Sequence, residues 1–299
     1  MDGIINIYKE KGYTSFDVVA ILRKKLKIKK VGHTGTLDPE AEGVLPVCIG
    51  KATKVADYIT DTTKIYSATM TLGIETDTQD HTGSIINSNE VTSSIKEIQE
   101  AIQSFIGDYE QIPPMYSALK VNGKRLYELA REGKTIERKA RKIVIYNIDI
   151  INIDNNNVDM IIECSKGTYI RTLCADIGTK LGCGAHMSKL LRTKSSLFQL
   201  DSSIKLEEVD NYIENNTLDE IIMPIDMVFT TYDKIIIHES YNKFLYNGNK
   251  LDSDFIKGNT KITINDSYRI YDENNKFIGI YKSLVIDDKI ILKPIKVFL

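Results

Sequence analysis

Three polar residues far apart in the chain, Asp38, Tyr66 and Arg171, carry side chains that could act together. A carboxylate beside a guanidinium stays ionised, because the cation favours the charged form. An ionised carboxylate held in place serves as a nucleophile or a base. A tyrosine nearby stacks on an aromatic substrate and exchanges a proton. On residue types alone the triplet is weak, since an Asp before Pro is more often a turn residue, an Arg–Asp pair can be structural and a Tyr can be core. Asp38 lies in residues 31–46, VGHTGTLDPEAEGVLP. There Gly32, Gly35 and Gly43 open backbone conformations closed to other residues, and the Asp38–Pro39 step is pushed toward an extended geometry. No helical or strand period runs through the stretch. It reads as a shaped loop presenting polar side chains.

The elements that must position these residues follow from periodicity. Residues 3–8 alternate as a strand, Lys9-Glu10-Lys11-Gly12 is a turn, and Thr14 or Ser15 caps a helix with Asp17 in its first turn. Phe16, Val19, Ala20 and Leu22 form its apolar side, and a basic run from Arg23 to Lys30 ends it. Residues 44–50 read as a strand, and residues 52–57 begin a helix. Residues 65–73 read as a strand with Tyr66 near its start, 75–80 as a polar turn and 91–105 as a helix. Residues 111–133 hold two prolines, Asn122-Gly123 and a short amphipathic piece at 126–131, which suggests an excursion from the sheet. That excursion interleaves Tyr116 and Tyr127 with Lys120, Lys124, Arg125 and Arg131. Such a mixture suits RNA, through phosphate pairing and base stacking; a solvated surface hairpin is the alternative. Strands at 143–153 and 158–164 lead into SKGTYIR, which carries Arg171, then a helix at 173–181 closed by Gly182 and a compact polar-apolar segment at 184–192. An acidic helical stretch, 201–226, precedes a boundary near 226–232. Short strands at 234–237, 260–264, 268–272, 277–284 and 290–297 suggest a small β-barrel.

Composition bounds the classes. The 299 residues suit roughly two domains, and 42% apolar with 27% charged residues is an ordinary globular balance. A net charge of -2 leaves room for a local basic face but not for a coat of positive charge. The four cysteines form no C-x-x-C pair and the four histidines are scattered, which argues against a structural zinc site. The N-terminus is not a signal peptide and no apolar run approaches a membrane span, so a cytoplasmic protein is expected.

Several ordered motifs resemble one family. Residues 32–46, GHTGTLDPEAEGVLP, closely resemble the catalytic motif of the TruB family of bacterial tRNA pseudouridine-55 synthases. Lys64-Ile65-Tyr66 looks like its tyrosine segment, and PPMYSALKVNGKRLY within 111–129 resembles its RNA-gripping insertion. SKGTYIRTL at 165–173 matches its arginine motif, GAHMSKLLRT its later loop, and the C-terminal strands resemble a PUA RNA-binding domain. The resemblance implies an α+β pseudouridine-synthase fold: a mixed, mainly antiparallel sheet flanked by helices, with an insertion at about 108–142. A catalytic domain would cover 1–230 and a PUA-like barrel 231–299. It implies Asp38, Tyr66 and Arg171 as catalytic residues and Lys9, Gly32, His33, Thr34, Lys120, Lys124, Arg125, Tyr169 and Leu190 as substrate-binding. His33 would fill the space left by the extruded base, and Leu190 would line the pocket. No cofactor and no metal are implied. The implied partner is the tRNA T arm, engaged by a monomer without a guide RNA or a membrane. The reaction implied is isomerisation of uridine 55; the alternative is a tRNA-binding or folding protein with an idle site. One departure is Glu10 where the family has proline in K-P-x-G, which removes a fixed φ while Lys9 keeps the cation.

Overall fold

The computed structural model describes residues 1–121, 123–258 and 260–299; Asn122 of the expected Asn-Gly turn lies outside the described residues. The larger sheet is ten-stranded. Its path runs Ile222–Met223, Gly3–Lys9, Glu42–Ile49, Ala185–Ser195, Lys64–Leu72, Asn157–Cys164, Arg141–Asp154 and Gly107–Gln111, with Val31–His33 and Phe198–Gln199 paired alongside. On that path one pairing alone is parallel: Glu42–Ile49 meets Ala185–Ser195 only at Leu191↔Glu42 and Arg192↔Gly43. The sheet is therefore two antiparallel halves joined at a short contact. Gly43 makes that contact possible. Its φ is +105°, and a Cβ there would fall 2.3 Å from the Arg192 carbonyl oxygen.

Along Lys64–Leu72 and Asn157–Cys164 every second residue is buried, the period-2 signature of a sheet covered on one face. The helices Ile95–Gln103 and Ile170–Leu181 supply the cover, packing Ile98, Ile102, Leu173 and Ile177 on Met70, Leu72, Met160 and Ile162. The other half is covered by the helix Ser15–Leu26, whose Val18, Val19 and Leu22 meet Ile5, Ile7, Leu45 and Val47. Thr14 caps this helix, exchanging bonds with Asp17 in a capping box. Its buried stripe is Ser15, Val18, Val19 and Leu22, so Phe16 and Ala20 point to solvent, contrary to the expected apolar side.

Other expectations shift for identifiable reasons. Of residues 184–192, all but Gly184 belong to a long central strand, Ala185–Ser195. Bulges between Met187 and Lys189 and between Arg192 and Lys194 break the alternation that would have marked it. The helix after SKGTY begins at Ile170, placing Arg171 in its first turn rather than in a loop. The helix expected at 91–105 spans only Ile95–Gln103.

A second sheet, of five strands, orders Asp233–Ile236, Ser267–Tyr271, Phe277–Ile286, Lys289–Val297 and Leu251–Asp252. Residues 260–264 form no strand. Their polar groups turn to side chains instead: the Thr263 amide donates to the Tyr268 hydroxyl (2.7 Å) and its carbonyl accepts from Ser283 Oγ (2.5 Å). An isolated bridge, Ile237↔Ile256, links the segments following the two edge strands and curls the sheet toward a barrel. Ile280 of this sheet and Phe298, just past its last strand, share a core cluster with Ile4, Val44, Val55 and Phe229, which fastens the two sheets together.

Candidate active site

Asp38 and Arg171 meet in a two-pronged ion pair, Arg171 Nε to Asp38 Oδ2 at 2.9 Å and Nη2 to Oδ1 at 3.2 Å. The carboxyl side chain is 36% exposed and the guanidinium side chain 6%, so the pair is buried from the arginine side and open from the aspartate side. Such a fork fixes both the charge and the plane of a carboxylate. Arg171 is fully committed. Its Nη1 reaches the Thr78 carbonyl (3.1 Å) and Asp80 Oδ2 (3.4 Å), and its Nη2 also donates to the Tyr116 carbonyl of the insertion (2.8 Å). One guanidinium thus bridges two carboxylates, which offsets its position at a helix N-terminus, where a cation is disfavoured.

The two carboxylates are tuned in opposite directions. Burial lifts the Asp38 carboxyl above the usual range and the Asp80 charge adds to this, while the Arg171 guanidinium opposes both. Burial pushes Asp80 up as well, but hydrogen bonds from Thr82 and Thr78, together with Arg171, outweigh it and hold Asp80 below the usual range. Asp80 is the fixed anion of the pair, and Asp38 the more readily protonated one.

Several contacts immobilise the loop around Asp38. The Leu37 amide donates to Ser15 Oγ (2.8 Å), Thr60 Oγ1 to the Thr34 carbonyl (2.6 Å) and the Gly12 amide to the Pro39 carbonyl (2.9 Å). Lys9, expected to meet substrate, is fully buried. Its Nζ donates to the carbonyls of Tyr13 (2.7 Å), Glu10 (3.0 Å) and Pro39 (3.1 Å). It braces the loop instead, and burial pulls its ammonium down to about 8 against the nearby carboxylates. Thr34 is likewise buried and bonded inward, its amide to the Pro46 carbonyl, so it too positions rather than contacts.

Tyr66 lies on the floor of the larger sheet's covered face, directly opposite Arg192 in strand register. Burial raises its hydroxyl, and the positive charge of Arg192 opposes that. Arg192 itself is 1% exposed and donates Nε to the Val44 carbonyl (2.8 Å) and Nη2 to the Gly35 carbonyl (3.1 Å). It ties the loop to the junction between the two halves of the sheet. Leu190 pairs with Ala68 and packs at the edge of the same core as Tyr66. His33 is half-buried; its Nδ1 accepts from the Gly35 amide (3.3 Å), and burial with the Arg192 charge holds the ring below the usual histidine range. Gly32 pairs with Cys48 and a Cβ there would meet nothing within 4 Å.

The insertion carries Lys120 and Lys124 on an exposed two-stranded hairpin, with Arg125 half-exposed beside them. Tyr169 is bound at its backbone by both ends of the buried Gln111 amide (2.8 and 3.0 Å), which locks the start of the Arg171 helix to the base of the insertion. Part of the basic run at 23–30 has internal duties: Lys25 pairs with Asp210 and Arg23 reaches the Val31 carbonyl. Residue types missed Asp80 and Arg192. Neither stood out by type: Arg192 lies among the other polar residues of AHMSKLLRTKS, and Asp80 in a polar turn. Among the described residues there is no cluster of three or more His, Cys, Asp or Glu side chains able to hold a metal ion, and no helix is long and apolar enough to cross a membrane.

Comparison with known proteins agrees over the whole chain. The TruB family pseudouridylate synthase N-terminal domain matches residues 23–170, and the tRNA pseudouridylate synthase B C-terminal domain matches residues 171–230. A protein of Alkaliphilus oremlandii called tRNA pseudouridine synthase B is 52% identical, over 93% of this chain and 92% of that one. One of the same name from Lachnoclostridium phytofermentans is 49% identical over 100% of both. Among solved structures, a chain of an H/ACA RNP bound to a substrate RNA containing 2'-deoxyuridine superimposes with a TM-score of 0.72 at 26% identity, covering 99% of this chain and 85% of that one. A chain of a Cbf5-Nop10-Gar1 complex gives 0.71 at 30% identity with the same coverage.

Proposed function

The chain belongs to the TruB family of pseudouridylate synthases, and from that premise we propose that Asp38, Arg171 and Tyr66 are the residues with which it isomerises uridine to pseudouridine in tRNA. The observation that carries the assignment is the forked Asp38–Arg171 pair, closed on the arginine side and open on the aspartate side. Attack at C6 of the base, attack at C1′ of the ribose and proton abstraction at C2′ all require an ionised carboxylate at the ribose–base junction. Arg171 favours that ionisation in opposition to burial and leaves the free face of Asp38 open. Tyr66 offers a flat ring against which the freed uracil turns before it rejoins through C5, and Leu190 closes the pocket beside it.

The target we infer is uridine 55 of the T loop. That base must leave its stack to reach Asp38, at a cost of about a few kcal/mol, and His33 is the side chain placed to fill the gap. Lys120, Lys124 and Arg125 of the insertion would hold phosphates. The insertion supports direct grip of the tRNA by a monomer without a guide RNA, and the curled C-terminal sheet, residues 231–299, a second RNA contact of PUA type. A tRNA substrate supports a cytoplasmic location. Mapping pseudouridine in unmodified tRNA after incubation with the purified protein tests the reading. Product at the T-loop uridine with the wild type, and none with Asp38→Asn at a tRNA affinity within about tenfold, is expected; turnover by clean Asp38→Asn overturns the assignment.

A further inference from the structure

Phe16 is 58% exposed although its neighbours Ser15, Val18 and Val19 are buried. An exposed phenyl ring on a first helical turn contributes little to the core. This ring is nevertheless engaged on two sides. His33 meets it edge-on, with ring centroids 5.3 Å apart and planes at 83°. The Arg125 guanidinium stands 5.6 Å from its centroid. Arg125 in turn donates to the Tyr127 hydroxyl (2.8 Å), and Arg131 lies 5.6 Å from the Tyr127 ring. The result is a continuous ladder of rings and guanidinium groups from the insertion to the loop of Asp38. Its members come from four separate elements, and Phe16 is the rung between the insertion and His33.

Phe16 is also held still. The residue before it, Ser15, is bonded through Oγ to both the amide and the carbonyl of Leu37, one residue from Asp38. The Gly35 amide donates to His33 Nδ1, which leaves Nε2 as the protonated nitrogen of the neutral ring, facing away from that bond. A flat neutral ring fixed in this way can replace a nucleobase in a stack. An edge-to-face partner restricts such a ring's tilt, and a guanidinium over a phenyl face gives the contact direction.

We propose that Phe16 is a positioning residue for base extrusion, which transmits the seating of the insertion, through Arg125, to the orientation of the His33 imidazole. The proposal rests on the reading of His33 as the group that fills the vacated stack. Phe16 touches neither the reacting uridine nor Asp38; it acts by holding His33. Seating the insertion on the RNA and filling the gap behind the extruded base then become one event.

The test is a double-mutant cycle on Phe16→Ala and His33→Ala, read as single-turnover pseudouridine formation in tRNA with enzyme in excess. Phe16→Ala should slow the rate about tenfold while the tRNA dissociation constant stays within about threefold, and should add less than about twofold in the His33→Ala background. Arg125→Ala should likewise lose its rate effect once Phe16 is alanine. A T-arm substrate whose stacking neighbour beside the target is an abasic site needs less help with extrusion, so the Phe16→Ala defect should shrink on it. An equal fold-loss from Phe16→Ala with and without His33, or an undiminished defect on the abasic substrate, overturns the coupling. Absence of any pseudouridine with the wild type would instead overturn the functional reading. Phe16 is a surface residue, and an unchanged thermal midpoint for Phe16→Ala separates a rate effect from misfolding.

Discussion

Asp80→Asn isolates what the second carboxylate does. Asp80 contacts Arg171 at 3.4 Å and Asp38 contacts it at 2.9 Å, on different nitrogens of one guanidinium. Two carboxylates bound to one guanidinium repel each other, and at an effective dielectric of about 20 a repulsion of this kind is about 2 kcal/mol. Asp38 is open on one side, so solvent screening reduces this to about 1 kcal/mol. Asparagine can keep the bonds that Asp80 Oδ1 accepts from Thr78 and Thr82, so the turn should remain intact. Its amide nitrogen would face Arg171 Nη1, donor to donor, and Arg171 would be released toward Asp38. A more tightly held carboxylate is a weaker nucleophile and base. Single-turnover rates at neutral pH should fall on the order of tenfold, with tRNA affinity unchanged. The sign of the pH shift is the sharper readout. The Asp80 charge raises the Asp38 carboxyl, so its removal must move the acid limb of the rate profile to lower pH. An acid limb that stays in place, or moves upward, refutes the shared-guanidinium account.

Gly43→Ala should cost about 3 kcal/mol in denaturant unfolding, because it combines a strained positive φ with a Cβ 2.3 Å from a backbone oxygen. Gly32→Ala, where a Cβ meets nothing within 4 Å, should stay within about 0.5 kcal/mol; equal effects at the two positions would discard the close-approach explanation. In the wild type, turnover should fall as pH rises past about 8, where the buried Lys9 ammonium that braces Pro39 loses its proton. Stability should move the other way. The folded value lies below the unfolded one, so between them the unfolded chain holds more protons and unfolding free energy rises with pH. Lys9→Met should remove the alkaline fall in rate, and a fall that persists in it refutes the brace.

Much of the fold was legible because its strands obey period two where one face is covered. Lys64–Leu72 and Asn157–Cys164 alternate cleanly and lie close to where periodicity places them. Ala185–Ser195 did not declare itself, although it is central, because two bulges put consecutive residues on one face. Residues 260–264 have strand-like composition, yet bonds to Tyr268 and Ser283 hold them outside any ladder. Local propensity does not include such partners, which come from residues 5 and 20 positions away.

The site divides along the same line. Side chains proposed to act on a substrate, Asp38 and Arg171, were only a weak pair by type until the ordered motifs were read together, and they do meet. Those that act on other protein groups were misread, because their partners are carbonyls, and a sequence does not show where carbonyls point. Lys9, which the resemblance implied as substrate-binding, is a buried brace on three carbonyl oxygens. The same fact accounts for Glu10. The turn is held by the Lys9 ammonium and the Gly12 amide, both reaching the Pro39 carbonyl. Residue 10 supplies that brace with a backbone carbonyl, which a proline and a glutamate offer alike. The turn therefore depends on Lys9 and Gly12, and tolerates the loss of the ring between them.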